Sequence, residues 1–216
     1  MLVDQNSPPI RRLMVARQID PSRLHEMIRD PSPQVRREVA RRINPNLLPE
    51  MLGDEDWGVR LIVARRVDTD QLPKMIEDKD LEVRHEVAKR VPASWLHEMM
   101  ADQNSLVRLE VARRIDPSRL PEMMGDEDWG VRLVVAKRID PSRVHEMRGD
   151  ESWEIRRAVA QRIDPSWLPE MMLDEDFAVR IEVAKRIDPK YLSGMLMRET
   201  HPVVLSILTL RLTHPE

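Results

Sequence analysis

Three consecutive blocks of the chain read DQNSLVRLEVARRIDPSRLPEMMG (Asp102–Gly125), DEDWGVRLVVAKRIDPSRVHEMRG (Asp126–Gly149) and DESWEIRRAVAQRIDPSWLPEMML (Asp150–Leu173), a self-similarity with a fixed period of 24 residues. A unit that short cannot bury an apolar face alone, so its copies must stack on one another. Regular copies begin at Asp30, Asp54, Asp78, Asp102, Asp126, Asp150 and Asp174. Residues 1–29 hold an irregular first copy, in which Asp4-Gln5-Asn6-Ser7 matches Asp102-Gln103-Asn104-Ser105. Residues 198–216 lose the charged signature and become VVLSILTLRL, flanked by Thr-His-Pro at both ends. Atypical end units are what closing a stacked core demands. The expectation is one solenoid over residues 1–216: an irregular repeat (1–29), seven regular repeats (30–197) and a cap (198–216).

Within a copy the local pattern is helix, turn, short helix. The third place holds Ser32, Asp56, Asp80, Asn104, Asp128, Ser152 and Asp176. Each is an N-cap type, whose side-chain oxygen accepts from free N–H groups of the first turn. Pro33 suits a first helical position. Apolar residues then recur four apart, as in Val107, Val111 and Ile115, and give one buried stripe. Asp116-Pro117 ends that helix, because proline disfavours helix in the residue before it. Asp116 can cap a second, shorter helix that buries Leu120 and Met123 and ends near Gly125. Nothing reads as a strand, so the fold class is all-α.

The pattern D-x-[DNS]-x-x-V-R-x-x-V-A-x-R-[IV]-D-P-S-x-L-x-E-M resembles the leucine-rich repeat variant (LRV) family over residues 4–197. That resemblance implies α-helices alternating with short 3-10 helices in a right-handed superhelical solenoid, without a sheet. It also implies a link to nitrogen-fixation metabolism and, in many relatives, an N-terminal iron–sulfur module held by cysteines. This chain has no Cys, so it carries no ligands for such a cluster.

The absence of Cys also excludes disulfides, thiolate metal sites and Cys nucleophiles. Hydrophobic residues make up 41% of the chain and aromatics only 3%, so the core must be aliphatic and rich in Met. A formal net charge of -3 gives no global drive toward nucleic acid or acidic membranes. The segment MLVDQNSPPIRR has no apolar stretch of a signal peptide, and the run Val203–Leu212 is too short to span a bilayer. A cytoplasmic protein without a membrane partner is the expectation.

Several columns repeat once per copy. Arg12, Arg36, Arg60, Arg84, Arg108, Arg132, Arg156 and Arg180 flank the buried stripe, and the Asp that opens each copy is equally regular. A ladder of Arg–Asp pairs and Arg–carbonyl bonds between repeats explains their presence in every copy better than a ligand site does. Ala64, Ala88, Ala112 and Ala136 let neighbouring helices approach closely. A second basic column ends the long helix: Arg65-Arg66, Lys89-Arg90, Arg113-Arg114 and Lys137-Arg138, with Arg41-Arg42 and Lys185-Arg186 beyond. Stacked, it forms a stripe able to track a phosphate backbone. The competing reading is cations that complement helix C-termini and are neutralised by Glu98, Glu122, Glu146 and Glu170. Met27, Met51, Met75, Met99, Met123, Met147, Met171 and Met195 read as core filler. The histidines are too dispersed for a metal site, and no phosphate loop, HExxH or GxSxG occurs. No cofactor and no enzymatic activity is expected.

The least regular places carry most information about binding. The fourth place holds Trp57, Leu81, Ser105, Trp129, Trp153 and Phe177, and one turn later come Leu61, Leu133 and Ile181. Either these aromatics pack between repeats, or they form exposed spots of the kind enriched at interfaces. Trp57, Leu61, Trp129, Leu133, Trp153 and Phe177 are therefore candidate contacts for a partner protein. The reading is a non-enzymatic protein-binding scaffold, with nucleic-acid binding through the Lys/Arg stripe as the alternative. The oligomeric state stands open between a monomer and a dimer through the C-terminal helix.

Overall fold

The computed structural model describes residues 6–214. Asp4 and Gln5, where the first copy begins to match, lie outside the described residues. The chain divides into two compact units that meet in the sequence at Arg114 and Ile115. Repeats that touch only their sequence neighbours share no common centre, so a long array resolves into units rather than one core.

The first unit alternates α1 (Pro9–Gln18), η1 (Pro21–Met27), α2 (Pro33–Arg42), η2 (Pro45–Met51), α3 (Trp57–Arg66), η3 (Thr69–Met75), α4 (Leu81–Arg90), η4 (Ala93–Met99) and α5 (Ser105–Arg114), where η marks a 3-10 helix. The second runs η5 (Pro117–Met123), α6 (Trp129–Arg138), η6 (Val144–Met147), α7 (Trp153–Arg162), η7 (Pro165–Met171), α8 (Phe177–Arg186), η8 (Pro189–Tyr191), α9 (Leu192–Leu196) and α10 (Pro202–Thr213). Within the first unit each α-helix packs on the next, and in the second α6 packs on α7, α7 on α8 and α8 on α10; α2–α8 each pack on the 3-10 helix before them. Among the described residues there is no strand, and no helix is long and apolar enough to cross a membrane.

The caps fall where the polar residues stand. Asp56 accepts from the Val59 N–H at 2.9 Å, and Asp176 from the Ala178 N–H at 2.7 Å. Ser32 and Ser152 hold the same position but turn elsewhere: their hydroxyls donate to Gln34 and Glu154. In those two copies, as in the others, the opening Asp30 and Asp150 accept from the Ser32 and Ser152 N–H groups, at 2.8 and 2.9 Å. Asp20, Asn44, Asp116 and Asp164 cap the short helices, each accepting from an N–H two residues on.

Residue spacing explains why the short helices are 3-10. Leu48 and Met51, Leu72 and Met75, Leu96 and Met99, and Leu120 and Met123 are three apart. A helix with three residues per turn superposes such a pair on one face, whereas an α-helix would splay it. All of these side chains are buried, together with Val35, Val39, Ala40 and Ile43 of α2 and their counterparts.

The arginine column forms the ladder. Arg36, fourth in α2, donates from Nε and Nη2 to the Asp54 carboxylate of the next repeat at 2.7 and 2.9 Å, and from Nη1 to the Asp30 carbonyl of its own at 2.8 Å. Arg60–Asp78, Arg84–Asp102, Arg132–Asp150 and Arg156–Asp174 repeat the arrangement within their units, at 2.7–2.8 Å. These guanidiniums are almost wholly buried. The hydrogen bond to Asp78 holds Arg60 above its ordinary pKa, against the opposing effect of burial.

At the C-terminal end the ladder closes on a different acid. Arg180 donates to both oxygens of Glu199 at 2.7 and 3.0 Å, and Glu199 also accepts from the Thr200 and His201 N–H groups at the start of α10. The bonds from Arg180, then those from His201 and Thr200, outweigh burial and hold the Glu199 carboxyl down to about 2. A folded pKa below the unfolded one means the stabilisation is complete above the ordinary value of 4.5 and is lost as pH falls through about 2. Linkage places about 3 kcal/mol in this contact. Hydrogen-exchange protection of α10 is therefore expected to fall across that window. Glu199→Gln should show weak protection at neutral pH and little further loss on acidification. An α10 equally protected at pH 2 and pH 7 would contradict this assignment.

Candidate interaction surfaces

The first residue of each α-helix projects from its start rather than into the stripe. Trp57, Trp129, Trp153 and Phe177 are 46, 54, 39 and 45% exposed, so these aromatics do not pack away between repeats. Leu61 and Leu133, one turn along from Trp57 and Trp129, are half-buried, as is Ile181 beyond Phe177. In the second unit α6, α7 and α8 are successive neighbours, so Trp129, Trp153 and Phe177 stand at one end of three adjacent helices. Phe177 is stacked on His201 with ring centroids 4.1 Å apart, while Trp57 has the guanidinium of Arg37 over its ring at 5.6 Å.

The basic stripe divides into two different columns. Arg66 donates to the Ala40 and Ile43 carbonyls at the end of α2, the latter at 2.9 Å. Arg90 does the same to Ala64 and Val67, and Arg114 to Ala88 and Val91. In the second unit Arg138 donates to the Ile115 carbonyl at 3.0 Å, and Arg162 and Arg186 to Ile139 and Ile163 at 2.8 Å each. Helix C-termini leave carbonyls without intrahelical partners, and these half-buried guanidiniums satisfy them from the following repeat. With no carboxylate beside it, Arg66 is pushed below its ordinary pKa by burial. Arg66, Arg90, Arg114 and Arg138 are thus not the free cationic surface that the stripe reading requires.

Only the first residue of each pair, Arg65, Lys89, Arg113 and Lys137, remains exposed. Arg65 and Lys89 face Glu86 at 3.4 and 3.8 Å, and Arg113 faces Glu110 at 3.4 Å. The counter-ions of Arg65, Lys89 and Arg113 therefore lie on the long helices. The short-helix acids instead pair with cations in or flanking the short helices: Glu122 with Arg119, Glu146 with Arg143 and Glu170 with Arg148. The methionine column is buried throughout. His25 and His97 are exposed, and His145 is stacked on Trp167 at 4.6 Å. Among the described residues no group of three or more His, Asp or Glu side chains is arranged to hold a metal ion.

The last helix keeps one part of the repeat and drops another. Arg211, tenth in α10, donates to the Ala184 and Ile187 carbonyls at 2.9 and 2.8 Å, as Arg186 does to its predecessor. Leu205 stands where a ladder arginine would, fourth in the helix. Val203, Leu210 and Leu212 of this helix are exposed.

A chain described as a leucine-rich repeat variant with a novel repetitive structural motif superposes on this one with a TM-score of 0.82, at 32% identity, over 97% of this chain and 89% of that one. The chain belongs to the leucine-rich repeat variant family. The ladder, the alternating α- and 3-10 helices and the caps above are therefore the LRV repeat as this sequence builds it. An X-ray structure of the E. coli protein YibA shares the fold alone, with a TM-score of 0.56 and 16% identity over 99% of this chain and 100% of that one. No family model and no curated protein matches the chain.

Two features are absent from the sequence-based expectations. One is the set Glu38, Glu86, Glu110 and Glu182, which lies beside the exposed cations on the long helices. Its signal is the i, i+3 spacing from each Glu to the Arg or Lys that follows. The other is the pairing of Arg37 with Asp56 and Trp57 across a repeat boundary, at 2.7 Å to the carboxylate.

Proposed function

We propose that this LRV protein is a non-enzymatic scaffold that binds another protein through the helix starts bearing Trp57, Trp129, Trp153 and Phe177. The single observation behind this reading is the exposure of those four large aromatics on rigid helix termini in a chain with 3% aromatics. Side chains of this kind dominate the buried centres of interfaces, because they bring large area at small entropic cost. The buried charged groups carry structural bonds: ladder arginines to carboxylates, and carboxylates to the next helix start. This leaves binding, rather than acid–base chemistry, as the reading the side chains support. The link to nitrogen-fixation metabolism rests on family resemblance alone.

Trp129→Ala combined with Trp153→Ala is expected to weaken capture of a protein partner on immobilised chain at least about tenfold, consistent with aromatic anchors, while leaving the far-UV helical signal unchanged. Capture that persists unchanged in the double variant would remove these anchors. Nuclease treatment separates this reading from nucleic-acid binding. A phosphate-tracking surface loses its captured material with nuclease and shows a steep salt dependence. The pairing of Arg65, Lys89 and Arg113 with glutamates predicts retention instead.

A further inference from the structure

Two repeats begin with the same eight residues, DEDWGVRL, at Asp54–Leu61 and at Asp126–Leu133. In the first, an arginine lies across that start. Arg37 donates from Nε and Nη2 to the two oxygens of the N-cap Asp56 at 2.7 and 2.8 Å, and its guanidinium sits 5.6 Å from the centre of the Trp57 ring. Gly58 completes the receptacle. A Cβ built there would fall 2.5 Å from Arg37 Nε and 2.6 Å from Cζ, so the guanidinium lies where it does because the backbone is bare. Asp56, Trp57 and Gly58 thus hold a planar cation with a bidentate carboxylate, an aromatic face and a bare backbone.

The second copy has the same three groups and no internal cation. The residue at the place of Arg37 in the copy before it is Leu109. The N-cap of α6 has the same backbone as that of α3, with φ and ψ of -85° and 120° against -85° and 121°. Asp128 accepts from the Gly130 and Val131 N–H groups through one oxygen and has no side-chain partner. Around a Cβ built on Gly130 the nearest neighbour is that same Asp128 oxygen at 2.9 Å, with no guanidinium present. Trp129 is 54% exposed, against 46% for the covered Trp57.

We propose that Asp128, Trp129 and Gly130 form an arginine receptacle, occupied by an arginine side chain of the partner polypeptide in the way Arg37 occupies Asp56, Trp57 and Gly58. This builds on the scaffold reading and specifies what that partner presents. Lysine is a poor substitute, because it lacks the planar fork that meets both carboxylate oxygens. Trp153 follows Ser152 and precedes Glu154, so it has neither the capping carboxylate nor the glycine.

The test needs no partner. The indole N–H resonances of the five tryptophans of the full chain, assigned by single Trp→Phe variants, are followed while N-acetyl-arginine amide is added. Trp129 is expected to shift with saturation, while Trp57, already covered by Arg37, does not. N-acetyl-lysine amide should bind several-fold more weakly. Asp128→Asn keeps a capping oxygen but removes the charge, and should weaken the response about tenfold. Arg37→Ala should empty the first receptacle, so that Trp57 begins to respond. A Trp129 response matched by Trp153 and unchanged in Asp128→Asn would overturn the proposal, as would an emptied Trp57 that stays silent. Such a failure leaves the capture experiment above untouched, and a failed capture leaves these resonances informative.

Discussion

Arg60→Ala should destabilise the first unit by about 3–5 kcal/mol, the cost of breaking one side of a buried ion pair. Arg60 donates to both oxygens of Asp78 at 2.7 and 2.8 Å and to the Asp54 and Glu55 carbonyls at 2.8 and 3.2 Å. Without it, the Asp78 carboxylate keeps one bond, from the Asp80 N–H at 2.9 Å, in a site where its side chain is only 7% exposed. A charge that cannot be rehydrated and has lost its partner is the costly outcome. Urea unfolding followed by helical signal measures it. Arg41→Ala removes an exposed cation paired with Glu38 and should change stability by less than about 1 kcal/mol. Replacing both ladder partners, Arg60→Met with Asp78→Leu, should recover much of the loss, because two apolar groups leave no stranded charge. Recovery stays incomplete, since Asp78 also serves the Asp80 N–H. Equal small losses at Arg60 and Arg41 would show that the ladder is not a stabilising element.

Leu96→Ala should cost about 2–5 kcal/mol, through lost burial and the cavity left behind. Leu96 lies in η4, fully buried, three residues before Met99, which is 2% exposed. Its removal leaves a gap beneath η4 among neighbours that are themselves fully packed, Val91 and Met99 among them, so little collapse can refill it. Leu106→Ala, on a side chain 50% exposed in α5, should stay within about 0.5 kcal/mol. The comparison is a shift of urea midpoint at constant slope, which isolates stability from denatured-state compactness. A Leu96→Ala protein as stable as the parent would mean that η4 is not part of the core.

Ladder and core are both legible in the residues themselves. The 24-residue period, the capping residues and the apolar columns are local or periodic, and a repeat prints them many times. The ladder is legible for the same reason: Arg and Asp recur in register. The split of the basic pairs is harder to see, although helical geometry contains it. Arg65 and Arg66 are one residue apart, hence about 100° apart around the helix. One therefore points to solvent, and the other reaches back to the previous repeat's carbonyls. The exposure of Trp57, Trp129, Trp153 and Phe177 depends on whether the next repeat covers a helix start, which no single-copy pattern states. The role of Gly58 is invisible within its own copy, because it is defined by Arg37, which belongs to the copy before.

The ladder also gives the array a grammar of addition. Each regular repeat offers an aspartate backwards and an arginine forwards, 18 residues apart across every such junction described within a unit. A duplicated copy therefore arrives with both halves of its own joint, and its neighbours need no compensating change. Length can evolve by whole copies, while each helix start keeps its own first residue to vary. Among the joints described within a unit, the departure comes at the last, where the spacing becomes 19, the acid lengthens to Glu199, and Leu205 takes the place of the next arginine. The last described helix thus keeps the place of the ladder arginine and fills it with an apolar side chain.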